Sequence, residues 1–534
     1  MNHQLLMASL ILIPVAFGII LYKLPLKLGK IVLLGVQGYL LALAVFLFLQ
    51  TENHQELYTI LGGNNPILNI VLRGDRFSLL LVVVTNFLFG MGFIYKIMDK
   101  FFDGKIMLLY LILQGLTAGI FLTDDLFNLF ILFEVSTVLT TLLLMFKREG
   151  RVVYDALYYL ITQMVSMMFF LFGVAFLYRM FGMLSISEIG YLMQYAPARE
   201  LVLPFSFMMA GLCFKLGIFP MHGWVSRAYG LNSAPITQIA VMSSIVMKTS
   251  LFWLFRFHHL FLPALDYTLL FIVLAVGTSI FAAIKAISQK DIRLILAYST
   301  VSQIGLMMAA KFLGDDVSFV GSLYHIVNHA IFKMILFLSA GLIIRKYKTA
   351  DIYEIRGVMR NIPFAGVVSV IGMLAITGFP LTSGSISKYF MSAGLDGFWL
   401  EVLFWVMNFG TILVFVKYSR MLRFNQKATF EIKVVKQFAL ALLVFASLIT
   451  GFLMSMGINT LLQVELSMDI GKFIEKGIIY VVLILIAMFA YEKVLPKKKI
   501  LYNSIEHSLS FTRMCLVFVT FFTVLIVYGL IGVR

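Results

Sequence analysis

The chain has 534 residues, 61% hydrophobic and only 13% charged, with a formal net charge of +16 and a mean hydropathy of +0.98. Apolar runs of about 20 residues recur from end to end, which excludes a soluble globular domain and reads as an all-α polytopic membrane protein. The basic surplus fits loops facing an anionic leaflet and calls for no nucleic acid. Cys213 and Cys515 both sit in apolar segments. With no CxxC pair and no four-cysteine set, neither a zinc site nor an iron–sulfur cluster is expected, nor any other cofactor in this chain.

Sixteen spans are predicted, near 4–22, 29–49, 77–95, 106–122, 125–146, 153–178, 201–229, 236–257, 266–287, 293–311, 318–344, 362–394, 400–420, 437–457, 474–494 and 511–532. The seventh and twelfth are interrupted. The first apolar run, 5–21, lacks a basic leader and a small-residue cleavage site, so it reads as a span and not as a signal peptide. Residues 50–76 and 344–361 form the longest polar loops. Loops after odd-numbered spans hold 29 of the 42 basic residues and the opposite loops hold 9. That bias predicts a cell-membrane protein with the odd loops in the cytoplasm and both termini outside. The four remaining lysines, Lys215, Lys248, Lys333 and Lys388, fall within or beside spans 7, 8, 11 and 12. One such lysine is tolerable by snorkelling; four in the central spans look like a pathway.

In chain order, the first constellation is Asp124-Asp-Leu-Phe-Asn-Leu-Phe-Ile-Leu-Phe-Glu134. The aspartates are placed to cap span 5. Glu134 then lies about 15 Å deeper, near mid-bilayer. The stretch 211–224 carries Lys215 at a comparable depth and is broken by Pro220, with Asn232 and Pro235 beyond the second half-helix. A central charge costs roughly 2.5–3.5 kcal/mol on insertion scales. A proline frees carbonyls that must find partners. Both features in one segment mark a site at a discontinuous helix. Glu134 and Lys215 facing each other would lower the cost of each charge, whether as a proton-transfer pair or as a plain interhelical salt bridge.

Lys248 follows in Ser243-Ser-Ile-Val-Met-Lys248-Thr-Ser250, with hydroxyls one turn away. The sequence His325-Ile-Val-Asn-His329-Ala-Ile-Phe-Lys333 stacks two imidazoles and an ammonium on one helix face. Histidine titrates nearest neutrality, so this row reads as a proton wire; satisfied core histidines are the competing reading. The i, i+4 histidines also have metal-ligand spacing, but no third ligand and no HExxH glutamate accompany them, so metal is not expected. Span 12 repeats the break in Thr377-Gly-Phe-Pro380-Leu-Thr-Ser-Gly-Ser-Ile-Ser-Lys388. Gly-Ile-Phe-Pro220 and Gly-Phe-Pro380 suggest two halves, spans 4–8 and 9–13, related as internal repeats. Ser299, Thr300, Ser302 and Gln303 on span 10 are placed to hold connecting water.

Together, Leu-Phe-Asn-Leu-Phe-Ile-Leu-Phe-Glu134, Lys215-Leu-Gly-Ile-Phe-Pro-Met-His-Gly-Trp224, Lys290-Asp-Ile-Arg-Leu-Ile-Leu-Ala-Tyr-Ser299, His325 to Lys333 and Gly378 to Lys388 resemble the antiporter-like proton-channel subunits. These are the large membrane subunits of Mrp-type sodium/proton antiporters, respiratory complex I and membrane-bound hydrogenases. The resemblance covers about 75–423. It implies a fourteen-helix core with two inverted five-helix repeats. The corresponding divisions are helices 1–3 over 1–105, the first repeat over 106–258, the second over 266–423 and the C-terminal helices over 434–534. It also implies proton-transfer roles for Glu134, Lys215, Lys248, the His329/Lys333 region and Lys388, to which helical spacing adds His325. Where the family has a phenylalanine pair after the helix-12 glycine, this chain has Ser385-Ile386, a more polar gate. The tail adds spans beyond the core without a long lateral amphipathic helix, since 465–476 is too short for one. The phrase Leu122-Thr-Asp-Asp-Leu-Phe-Asn-Leu-Phe is most similar to the Mrp and hydrogenase branches.

The resulting expectation is a proton-translocating subunit of a multisubunit sodium/proton antiporter, working with other membrane subunits in the lipid bilayer on protons and Na+. Two alternatives stay open. One is the proton-pumping membrane arm of a quinone-linked or hydrogenase-type oxidoreductase whose redox centres lie in other chains. The other is a membrane scaffold in an inorganic-carbon uptake complex.

Overall fold

The computed structural model describes residues 3–52, 55–63, 69–99, 102–146, 150–230, 235–422, 432–494 and 510–533. Asn232 and parts of several basic loops, including 497–499, lie outside the described residues. Helices α1 (His3–Lys23) and α2 (Leu26–Leu49) lead into an antiparallel hairpin, β1 (Leu57–Leu61) with β2 (Ile70–Gly74), in which Thr59 faces Leu72. The hairpin occupies the stretch expected to be a polar loop. Arg73 closes it with two bonds to Glu56, at 2.7 and 2.9 Å. Burial opposes the Glu56 charge, but the Arg73 and Tyr58 hydrogen bonds outweigh it and hold the carboxyl below its ordinary pKa.

Next come α3 (Arg76–Lys96), α4 (Gly104–Leu122), α5 (Leu126–Leu144) and α6 (Gly150–Phe181). A short surface helix that periodicity did not reveal, α7 (Ile186–Met193), precedes the first broken pass, α8 (Ala198–Leu216) and α9 (Val225–Tyr229). The eighth pass is α10 (Ile236–Val241), a π-helical turn (Met242–Val246) and α11 (Met247–Phe261). Then follow α12 (Thr268–Ser288), α13 (Ile292–Leu313), the long α14 (Asp316–Tyr347) and a single turn, α15 (Val358–Asn361). The second broken pass is α16 (Pro363–Thr377) with α17 (Ser383–Ala393). The chain ends with α18 (Phe398–Ser419), α19 (Val434–Phe452), α20 (Met454–Leu462), α21 (Ile470–Phe489) and α22 (Phe511–Gly532).

Among the described residues, fourteen helical runs are long and apolar enough to cross a membrane. The two broken passes add to these, making sixteen. In hydrocarbon every backbone N–H and C=O must be met inside the protein, so helix ends need caps. Aspartates supply several. Asp75 accepts from the Ser78 amide at 2.8 Å, Asp125 from Asn128 at 2.6 Å and Asp315 from Ser318 at 3.0 Å.

The interior is built around α14. It packs on α10, α13, α16, α17 and α19, and 94% of its spanning window is buried. By contrast α21 and α22 expose most of their apolar surface, and only 11% of the α21 window is buried. The lysines of the central spans therefore sit where protein, not lipid, surrounds them.

Candidate functional site

Lys215 is in the last turn of α8, where Gly217 takes the left-handed conformation, φ 68°, and stops the helix. The carbonyls freed by the break are met locally. Ile218 donates to the Cys213 carbonyl at 3.1 Å and the Trp224 indole to the Phe214 carbonyl at 3.0 Å. The ammonium donates to Thr137 Oγ1 at 2.7 Å and lies 5.3 Å from the centre of the Phe133 ring. Thr137 is on α5, one turn beyond Glu134. Glu134 and Lys215 attract each other through space, but the hydrogen bond goes to the hydroxyl, and Glu134 Oε1 is buried without a protein partner. Asp125 caps α5, whereas Asp124 turns to α7 and accepts from Ser187 Oγ at 2.9 Å. Burial raises the Asp124 carboxyl above its ordinary pKa against the pull of those Ser187 bonds.

Lys248 is wholly buried just past the π turn and donates to the carbonyl of Ser243 inside it. Such turns frequently occur at functional sites. The Ser243 hydroxyl meets Thr300 Oγ1 at 2.7 Å, and Thr300 donates to the Leu296 carbonyl at 3.0 Å. The same carbonyl accepts from Lys333 Nζ at 2.9 Å, and Lys333 also donates to Ser299 Oγ at 2.5 Å. The ammonium groups on α11 and α14 are therefore joined through three residues, Ser243 and, on α13, Thr300 and Leu296.

One turn from Lys333, His329 is fully buried and both its ring nitrogens lack a protein partner. Its ring centre is 6.0 Å from that of His325. His325 Nε2 lies 2.9 Å from Gln303 Oε1 and Nδ1 lies 2.8 Å from Ser387 Oγ. The Gln303 oxygen only accepts, so Nε2 carries the proton. Ser387 adjoins Lys388, whose Nζ donates to the Ile376 carbonyl at 2.6 Å and to Asn408 Oδ1 at 2.7 Å. Among the described residues no group of three histidine, cysteine or carboxylate side chains is placed to hold a metal ion.

All seven candidate residues lie on the helices expected for them. Lys248 and Lys333 are linked through α13, His325 reaches Ser387 beside Lys388, His329 lies on α14 between His325 and Lys333, and the Glu134–Lys215 pair is on α5 and α8. Three participants were not anticipated. Asn408 has a sequence signal, being the sole carboxamide in the apolar helix α18. Thr137, three residues past Glu134, has a weaker one. Ser387 has none beyond its place beside Lys388.

A family model described as NADH:quinone oxidoreductase/Mrp antiporter, TM, matches residues 123–417, more than half of the chain. The chain belongs to that family. It is 30% identical over 313 residues to an NADH-quinone oxidoreductase subunit of Desulforudis audaxviator, covering 57% of this chain and 62% of that protein. It is 27% identical over 405 residues to an Na(+)/H(+) antiporter subunit of Alkalihalophilus pseudofirmus, covering 73% and 80%. Among solved structures, a chain of the Mrp complex from Dietzia sp. DQ12-45-1b superimposes with a TM-score of 0.80 at 19% identity, over 91% of this chain and all of that one. That likeness is one of fold.

Proposed function

We propose that this chain is a proton-translocating subunit of a multisubunit sodium/proton antiporter, with other membrane subunits as its partners. The similarity to the Alkalihalophilus pseudofirmus antiporter protein over most of both chains supports the assignment. The observation that carries the route is that hydrogen bonds to Ser243, Thr300 and Leu296 bring Lys248 and Lys333 together; the Ser243 and Leu296 carbonyls only accept, so water carries the proton past them. From there His329 and His325 lead to Ser387 and Lys388. Protons enter where Glu134 and Lys215 share attraction, and the charge on Lys215 depends on the protonation of Glu134. Buried polar atoms without protein partners, on Gln163, Gln238, Ser244 and His329, are the groups water solvates along this line. The two halves, 106–258 and 266–423, each contribute one broken helix, and both termini face outside.

A second reading keeps the route but changes the driving force. The similarity to the NADH-quinone oxidoreductase protein of Desulforudis audaxviator favours a membrane arm pumped by redox subunits elsewhere. Mild-detergent purification from native membranes with identification of the co-purifying chains separates the two. Small hydrophobic subunits without metalloproteins support antiport; iron–sulfur, flavin or nickel subunits support the redox arm. The route itself is tested by Lys215→Ala in vesicles carrying the whole complex. Loss of coupled proton transport with normal membrane levels is expected, and normal transport would sink the proposal.

A further inference from the structure

Lys388 borders a narrow cavity of about 20 Å³, shared with Ser385, Ser392, Trp405 and Lys476. That is room for roughly one water molecule. The Trp405 indole N–H is buried and has no protein partner. Ser392 is one turn past Lys388 on α17, and its hydroxyl accepts from Lys476 Nζ at 2.6 Å. Lys476, on α21, also pairs with Glu401 of α18 at 3.3 Å and covers the Tyr389 ring at 5.3 Å. The lysine side chain is 13% exposed and the glutamate 37%, so the pair stands between the cavity and solvent.

The face onto which it opens is set by the fold. The Asp315 amide bonds the Gly394 carbonyl at 2.9 Å, tying the end of α17 to the start of α14. That start, at Phe319 and Leu323, shares a pocket with Glu56 and Arg73 of the β-hairpin. The cavity therefore leads to the hairpin-bearing face. The lysine of the pair comes from α21, beyond the segment 123–417 that the family model matches.

We propose that the Lys476–Glu401 ion pair is the gate between Lys388 and the hairpin-bearing face, and that Glu401 takes up the proton Lys388 releases there. This rests on the reading of Lys388 as a proton-transfer group. When Lys476 swings from Glu401, the Lys388 ammonium gives one proton to the cavity water and that water gives one to the Glu401 carboxylate. A neutral amine and a neutral carboxyl result, and Glu401 discharges to solvent from its exposed edge. Of the charges near Lys476 on α21, Glu475 attracts the swung ammonium and Lys472 repels it. Closed, the pair blocks the exit and keeps the Glu401 carboxylate engaged by Lys476, so Lys388 has no free proton acceptor on that face.

The test uses the whole complex in sealed vesicles of both orientations, with Cys213→Ser and Cys515→Ala as background. Ser385→Cys places a thiol on the cavity wall, probed by a membrane-impermeant methanethiosulfonate reagent. Labelling from the hairpin face is expected to be slow, and at least about tenfold faster when Lys476→Ala removes the gate. Lys476→Arg, which keeps the pair, is expected to label at the parental rate. Glu401→Gln, close in shape, is expected to slow proton transport at least about tenfold. Unchanged labelling in Lys476→Ala overturns the gate, as does normal transport by Glu401→Gln when Lys388→Ala transports nothing. Normal transport by Lys388→Ala would instead overturn the underlying reading of the lysine.

Discussion

The two broken helices solve the same problem by different means. Each break begins with a left-handed glycine, Gly217 at φ 68° and Gly378 at φ 89°, and each frees carbonyls that hydrocarbon cannot satisfy. In the first, the Trp224 indole meets the Phe214 carbonyl, leaving Lys215 to engage Thr137 and to feel Glu134. In the second, Lys388 itself meets the Ile376 carbonyl and shares its other bond with the neutral Asn408 amide. Lys215 thus has a charge partner and no structural duty at its break, while Lys388 has a structural duty and no charge partner. The first arrangement suits a site whose charge is set by a neighbour's protonation. In the second, any loss of a proton would be coupled to the geometry of the break, beside the cavity that Lys388 shares with Lys476.

The strongest challenge to this contrast is to remove each lysine. Both Lys215→Ala and Lys388→Ala should abolish coupled transport, but their stabilities should part. Lys388→Ala leaves the buried Ile376 carbonyl and the Asn408 amide oxygen unmet, at about 1–3 kcal/mol each. Lys215→Ala leaves a Thr137 hydroxyl already bonded to the Phe133 carbonyl at 2.9 Å. A lower melting temperature for Lys388→Ala than for Lys215→Ala in the same detergent is therefore expected, and the reverse order would contradict the division of duties.

Moving the carboxylate is the next largest change. Asn408→Asp gives Lys388 the partner that Lys215 has. A carboxylate in hydrogen-bond contact holds the ammonium's proton, so transport should slow by about tenfold or more at neutral pH and recover as pH rises. Glu134→Gln removes the charge that acts on Lys215 and should slow transport by a smaller factor, with little effect on melting, because no hydrogen bond from Lys215 is lost. If Glu134→Gln instead lowered stability strongly, the pair would be a structural bridge after all.

Smaller still is Trp224→Phe. It removes the indole bond while the Phe214 carbonyl keeps the Gly217 amide at 2.9 Å, so stability should fall by only about 0.5–1.5 kcal/mol, with Lys215 chemistry nearly unchanged in a proton-transport assay. Thr137→Val should have the least effect, a few-fold slower turnover, since water can take the place of one hydroxyl beside an ammonium.

Much of this site was readable without coordinates, for one reason. A charge in a long apolar run is conspicuous in one dimension, because it costs free energy that a sequence does not tolerate casually. Lys215, Lys248, Lys333, Lys388 and Glu134 were legible on that ground, and the His325–His329–Lys333 row was legible from helical spacing alone. Pro220 and Pro380 announced the breaks, and the alternation of basic loops pointed to sixteen passes, which the helices reproduce once the two broken passes join the fourteen continuous ones.

What stayed hidden is what those charges touch. The hairpin at Leu57–Leu61 and Ile70–Gly74 had no clear alternation to betray it, and the π turn before Lys248 leaves no mark in residue type. Thr137, Asn408, Ser392 and Glu401 are ordinary polar residues, and the Lys388 partners Ile376 and Asn408 are 12 and 20 residues away in sequence. Lys476 meets Ser392 across 84 residues. Residue order alone dictated that charges must be buried, on which helices, and that two helices must break, because hydrocarbon penalises each of these locally. Which hydroxyl, carbonyl or carboxylate answers each charge was settled by packing in three dimensions. That choice depends on how distant helices lie side by side, and a hydrogen bond is made or lost within a few tenths of an ångström.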